Sequence, residues 1–121
     1  MKESVLKQKS LGFAVRIVNL YKYMCEDKKE FVLSKQILRS GTSVGAMIRE
    51  AEHSESKVDF VHKMAIAQKE INETIYWLEL LKETAYISNE EYDSINADAV
   101  EIIKIITSSI KTAKTKLTTN R

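Results

Sequence analysis

The residue pairs whose types and spacing come nearest to chemistry are two acid-x-x-His steps, Glu50 with His53 and Asp59 with His62. On a helix, i and i+3 share a face, and this step is the local signature of carboxylate-bridged di-metal bundles. The surroundings argue against a metal here. His62 lies two residues past the apolar Phe60, so it points about 200° away from it and toward the outside. Both pairs also fall where a helical pattern ends or begins. Histidines that are solvated or at an interface are expected, with no metal and no cofactor. The single Cys25 follows the apolar Met24 and has no histidine on its own helix, so a structural thiol is expected rather than a nucleophile. A lone cysteine cannot form an internal disulfide, which makes a reduced, cytoplasmic setting the default. Carboxylates recur at Glu70, Glu73, Glu79 and Glu83, but at helical spacing on a charged face they are solvated or paired with Lys. Gly41-x-x-x-Gly45 lacks the spacing and trailing lysine of a phosphate loop, and nothing supplies an oxyanion hole. The residues predict a protein that is not an enzyme.

The elements that carry these residues are helical. The 121 residues include no proline, three glycines, 44% hydrophobic and 30% charged residues. That is the balance of a soluble helical protein of one domain, spanning residues 1–121. No apolar run suggests a leader or a membrane span. A first helix is predicted over about 4–26, where Phe13, Ile17, Leu20 and Met24 step by 4, 3 and 4, with Leu6 extending the seam. A second, about 32–54, has Leu33, Ile37, Ser40, Val44, Met47 and Ala51. A third, about 57–85, holds Phe60, Met64, Ala67, Ile71, Thr74, Leu78, Leu81 and Ala85 in strict alternation, opened by Ser56 and Asp59. A fourth, about 89–117, opens on the capping box Ser88-Asn89-Glu90-Glu91 and carries Tyr92, Ile95, Ala99, Ile102, Ile106, Ala113 and Leu117. Four long amphipathic helices with short connections and no strand signal predict an all-α, antiparallel up-down-up-down four-helix bundle.

Two surfaces remain to be explained. Gly41 and Gly45, with Ser43 and Ala46 alongside, form a smooth strip that lets another helix approach closely, at about 1 kcal/mol of helix propensity per glycine. Ile66 and Trp77 lie off the seam of the third helix, and Val100, Ile103 and Ile105 off that of the fourth. Grouped apolar residues of this kind mark an interface, so self-association is expected through Gly41, Gly45, Ile66, Trp77, Val100, Ile103 and Ile105.

Net charge is only +2, yet it is unevenly placed. Residues 1–49 carry ten Lys/Arg against four Asp/Glu, residues 50–101 four against thirteen, and residues 102–121 five against none. Such asymmetry implies an anionic partner or contacts between acidic and basic parts of neighbouring copies. In an antiparallel bundle Lys2, Lys7, Lys9, Arg49, Lys57, Lys63, Lys111, Lys114, Lys116 and Arg121 gather toward one pole. No aromatic residue is interleaved with them, so nucleic-acid binding would be led by phosphate contacts with little base reading.

The runs Leu33–Ala46 and Asp59–Glu70, and Glu73-Thr74-x-Tyr76-Trp77-Leu78, resemble the small four-helix-bundle proteins encoded in intervening sequences of bacterial large-subunit ribosomal RNA genes. The accessory variability protein of diversity-generating retroelements is a relative of that family. The resemblance covers about Phe13 to Ile110, and Arg39–Ala46 is its most specific part. The family pattern has Asn where this chain has Met47, followed by Glu-Ala as in Glu50-Ala51. The resemblance implies a ring-shaped homo-oligomer, a pentamer, and work with nucleic acid and a reverse transcriptase. It implies no catalytic residue. The combined expectation is a self-assembling bundle that binds structured RNA or an RNA–DNA hybrid. Its phosphate contacts would be Lys7, Lys9, Arg16, Arg39, Arg49, Lys111, Lys114 and Lys116. The alternative is a scaffold that binds a partner protein without touching nucleic acid.

Overall fold

The computed structural model describes the backbone of residues 2–119 and the side chains of residues 5–117. Four helices follow one another: α1 (Lys2–Glu26), α2 (Leu33–Glu52), α3 (Lys57–Glu83) and α4 (Asn89–Thr119). α1 and α3 each pack on α2 and α4, and among the described residues no backbone approach crosses a diagonal, so the helices stand in a square in chain order. No strand occurs among the described residues.

Each helix start has its own chemical reason. Ser88 and Glu91 close a reciprocal capping box on α4: the Glu91 N–H donates to Ser88 Oγ at 3.0 Å, and the Ser88 N–H to Glu91 Oε1 at 2.7 Å. On α3 only the forward half of the motif forms, the Asp59 N–H donating to Ser56 Oγ at 3.0 Å. α2 is capped from outside the helix. The carboxylate of Glu30 accepts the N–H groups of Val32, Leu33 and Ser34 at 3.1, 2.9 and 2.8 Å, satisfying three of the donors a helix start leaves open. Burial pushes the Glu30 carboxyl up, but these backbone bonds outweigh it and its pKa is lowered.

α3 ends two residues earlier than its apolar pattern predicts. Ala85 is exposed, with φ at 65°, the left-handed conformation. The Ala85 N–H donates to the Lys82 carbonyl and the Tyr86 N–H to that of Leu81, at 3.0 and 2.9 Å, which is a Schellman ending. The chain must reverse here to start α4, and that geometry removes Ala85 from the seam.

The seams otherwise meet in one core cluster that includes Phe13, Ile17, Met24, Ile37, Val44, Met64, Ile71, Leu78, Leu81, Ile102 and Ile106. Met47 is only half-buried; its neighbour Ile48, 2% exposed, takes the core position. Ser40 and Thr74 are fully buried and hydroxyl-bonded to each other at 2.9 Å across α2 and α3. Thr74 Oγ1 also reaches the Glu70 carbonyl at 2.8 Å, so the pair stays polar without going unsatisfied. None of the described helices is long and apolar enough to cross a membrane.

Candidate nucleic-acid interface

Half of the expected phosphate contacts are held by carboxylates of the same chain. Lys7 on α1 pairs with Glu52 on α2 at 3.6 Å. Lys9 pairs with Glu101 on α4. Arg16 reaches Asp98 at 2.8 Å and both the hydroxyl and the carbonyl of Ser94. Arg39 on α2 bonds Glu73 on α3 at 2.7 Å and lies 3.9 Å from Glu70. A cation already neutralised at such distances offers little to a phosphate. The basic first part of the chain and its acidic middle are therefore largely matched inside one bundle, helix against helix. Matching within the chain is thus a third use of the asymmetry, beside an anionic partner and contacts between copies.

The other four cations lie at one end of the bundle. Arg49 is exposed in the last turn of α2, and Lys111, Lys114 and Lys116 are exposed on the last turns of α4. Antiparallel packing puts these turns at the same pole, with Lys57 exposed at the start of α3. Among the described residues Arg49, Lys111 and Lys116 form no ion pair. No acid follows Glu101 in the chain. Lys63 at the same pole bonds Glu50 at 2.9 Å, and that bond, then the charge of Glu50, raises the Lys63 pKa. A shallow hollow of about 490 Å³ lined by Arg49, Glu50, His53, Glu55, Asp59 and Lys63 opens there. It is mixed in sign, and the unmixed positive charge of this end is carried by α4 and Arg49. The side chain of Lys2 and all of Arg121, both expected at this pole, lie outside the described residues.

His53 and His62 are both exposed, and the described residues contain no group of three or more His, Cys, Asp or Glu able to hold a metal. Cys25 is half-buried, its Sγ 3.8 Å from Ser34 Oγ. The Tyr21 phenol is hydrogen-bonded to Cys25, and that bond, with the charge interaction and burial, raises its pKa.

The expected contact surface between copies is not assembled as one patch. Gly41 is buried against Ile17 of α1, and Gly45 faces Ser10, so the smooth strip serves the α1–α2 contact within the chain. Trp77, Ile103 and Ile105 pack, partly buried, against the core. The Trp77 indole N–H donates to Glu73 at 3.0 Å, and its ring meets Tyr76 edge-on at 5.2 Å. Ile66 is half-buried and Val100 is 37% exposed. By helical register these residues belong to different seams of the square. Exposed apolar residues that the sequence reading missed include Leu11 and Val15 on α1, each 53% exposed, Phe31 and Val32 before α2, and Val58 at the start of α3. For the α1 pair the signal was present as a second stepped row, Gln8, Leu11, Val15, Val18 and Lys22, beside the core row.

Comparison with known proteins agrees with the architecture. The profile of the 23S rRNA-intervening sequence protein family matches residues 2–108. A crystal structure of a protein of unknown function from the S23 ribosomal protein family of Bacteroides thetaiotaomicron is 63% identical, covers 92% of this chain and 99% of that chain, and superposes with a TM-score of 0.91. No curated protein matches the chain.

Proposed function

The chain belongs to the 23S rRNA-intervening sequence protein family, and from that premise we propose that it binds nucleic acid through the lysine-bearing end of its bundle. The observation that carries this reading is the separation of the cations into two sets. Lys7, Lys9, Arg16 and Arg39 hold helices together, whereas Arg49, Lys111, Lys114 and Lys116 share one pole. The three lysines lie past residue 108, where the family match ends, so they are a property of this chain rather than of the matched pattern. Lysine is a point charge without the fork that reads a base edge, and no aromatic residue stands among these side chains. The partner is therefore recognised by its phosphates and shape, as in structured RNA or an RNA–DNA hybrid. Self-assembly belongs to the same reading, because several copies would present several such ends to one nucleic acid.

The test is charge reversal at Lys111, Lys114 and Lys116 together, compared with reversal at Lys22, Lys29 and Lys35 of the opposite pole. Fluorescence anisotropy with a labelled RNA hairpin should show affinity reduced at least tenfold by the first set and little changed by the second. Equal effects of the two sets, or none, would refute the assignment.

A further inference from the structure

The Gln68 amide donates to the Thr107 hydroxyl at 3.0 Å, which fixes the register of α3 against α4. Around this bond the outer sides of the two helices carry cations and no anions. Register sets His62, Ala65, Lys69 and Asn72 outward on α3, all exposed. On α4 it sets Lys104, Thr107, Lys111 and Lys114 outward, all exposed. Among the described residues Lys69 and Lys104 form no ion pair. The acids nearest in sequence are turned elsewhere. Asp59 lines the hollow with Lys63, Glu70 and Glu73 lie against Arg39, and Glu101 pairs with Lys9. Past Asn72 and Val100 the same side turns acidic, with Glu79 and Asp93 beside Tyr92.

Two packed helices, about 8–10 Å between axes, give this surface its width. Lys104 and Lys111 stand two turns apart, roughly 10 Å along α4. Charges set on helices in this way suit a partner whose phosphates are also held in place, as those of a duplex are. No Phe, Tyr or Trp falls between residues 61 and 72 or after Tyr92, so no such ring is there to stack an unpaired base. Among the lysines stand uncharged hydrogen-bonding groups, the amides of Gln68 and Asn72 and the Thr107 hydroxyl. That hydroxyl accepts from Gln68 and keeps its own proton to donate. Duplex RNA displays 2′-hydroxyls, each a donor and an acceptor, across a wide and shallow minor groove.

We propose that double-stranded RNA lies across this α3–α4 face. Its minor groove sits over Gln68, Asn72 and Thr107, and its flanking phosphates sit on Lys69, Lys104 and Lys111. The assignment rests on the nucleic-acid reading above. It extends that contact from the end of α4 along its side and adds Lys69 and Lys104 to it. An acidic protein segment would answer the lysines alone, whereas duplex RNA also answers the neutral groups among them. The acidic half of the same side repels a phosphate backbone and so bounds the footprint at Asn72 and Val100.

The test uses a labelled blunt RNA duplex, the DNA duplex of the same sequence, and one RNA strand alone, read by fluorescence anisotropy. Wild-type protein should bind the RNA duplex tightest. Lys69→Glu with Lys104→Glu should weaken that binding roughly tenfold, while Lys22→Glu with Lys35→Glu leaves it near wild type. Gln68→Ala with Asn72→Ala should weaken the RNA duplex roughly threefold and leave the DNA duplex unchanged. Far-UV circular dichroism controls for folding. Should the reversed pair fail to fold, Lys69→Gln with Lys104→Gln replaces it, and unchanged affinity would overturn the assignment. If only reversal at Lys111, Lys114 and Lys116 weakens binding, the contact is confined to the end of α4. That result overturns the face and leaves the nucleic-acid reading standing. Equal affinity for the DNA duplex, for the single strand or for polyglutamate would overturn duplex RNA as the occupant. No binding to any nucleic acid at low salt would remove both readings together.

Discussion

Replacing Gly41 by alanine probes the closest approach in the bundle. The new Cβ would stand 2.7 and 2.8 Å from Cγ1 and Cγ2 of Ile17 and 3.2 Å from its Cβ. Carbon atoms sit comfortably at about 3.5–4.0 Å, so three contacts fall inside the repulsive wall. Ile17 cannot swing away easily. It is fully buried, and a β-branched side chain in a helix has one strongly favoured χ1 rotamer. Overpacking of this kind costs about 1–3 kcal/mol. Alanine at Gly45 would meet Ser10 at 3.5–3.7 Å, ordinary contact, with no such term. Both substitutions gain about 1 kcal/mol of helix propensity. That gain cancels in the comparison, so Gly41→Ala should be less stable than Gly45→Ala by about 1–3 kcal/mol, with Gly45→Ala at or above wild type. At roughly 4 °C per kcal/mol for a domain of this size, thermal unfolding followed by circular dichroism resolves the difference. In an Ile17→Ala background the gap should narrow, since Cγ1 and Cγ2, the two closest clashing atoms, are gone and only the Cβ contact remains. Equal stability of the two variants in the wild-type background would show that α1 and α2 are not held at this distance.

Two further outcomes follow from the helix ends. Glu30→Ala should lower stability by about 1 kcal/mol, the usual value of a lost N-terminal cap, as read by urea unfolding. Because the folded pKa of Glu30 is lowered from 4.5, its contribution is present above that pH and fades as pH falls through the depressed folded value. Glu30→Gln should flatten that part of the acid profile, and an unchanged profile would contradict the cap. Ala85→Gly should raise stability by about 0.5–1 kcal/mol. It relieves an L-residue held at φ 65°, less the greater freedom glycine has in the unfolded chain; a fall in Tm would count against the left-handed ending.

The helices and most of the core were legible in the sequence because burial in a bundle follows a 4-3 step, and Phe13, Ile17, Ile37, Val44, Met64, Ile71, Leu78 and Ile106 obey it. The errors lie where a local geometry overrides the step. Ala85 fits the seam of α3 but is taken by the turn that ends it. Met47 and Ile48 are adjacent, and the exact facing of α2 decides which is buried. Glu30 falls between two predicted helices, and its carboxylate must fold back over three amides before it becomes a cap, which no local spacing records. The candidate site was only half legible. Composition shows where cations lie along the chain but not which carboxylate faces them, so Arg16 and Arg39 looked as available as Lys111. Pairing across helices depends on register between residues as far apart as Arg16 and Asp98, which no local pattern records.

The most direct measurement is the affinity for an RNA hairpin across a salt series, for the wild-type protein and for the chain reversed in charge at Lys111, Lys114 and Lys116. Each phosphate neutralised contributes roughly 0.7–0.9 to the slope of log affinity against log salt. The account predicts binding that weakens steeply with salt, with a slope shallower by roughly 2 in the variant. Absence of binding at low salt, or an identical slope in both proteins, would contradict it.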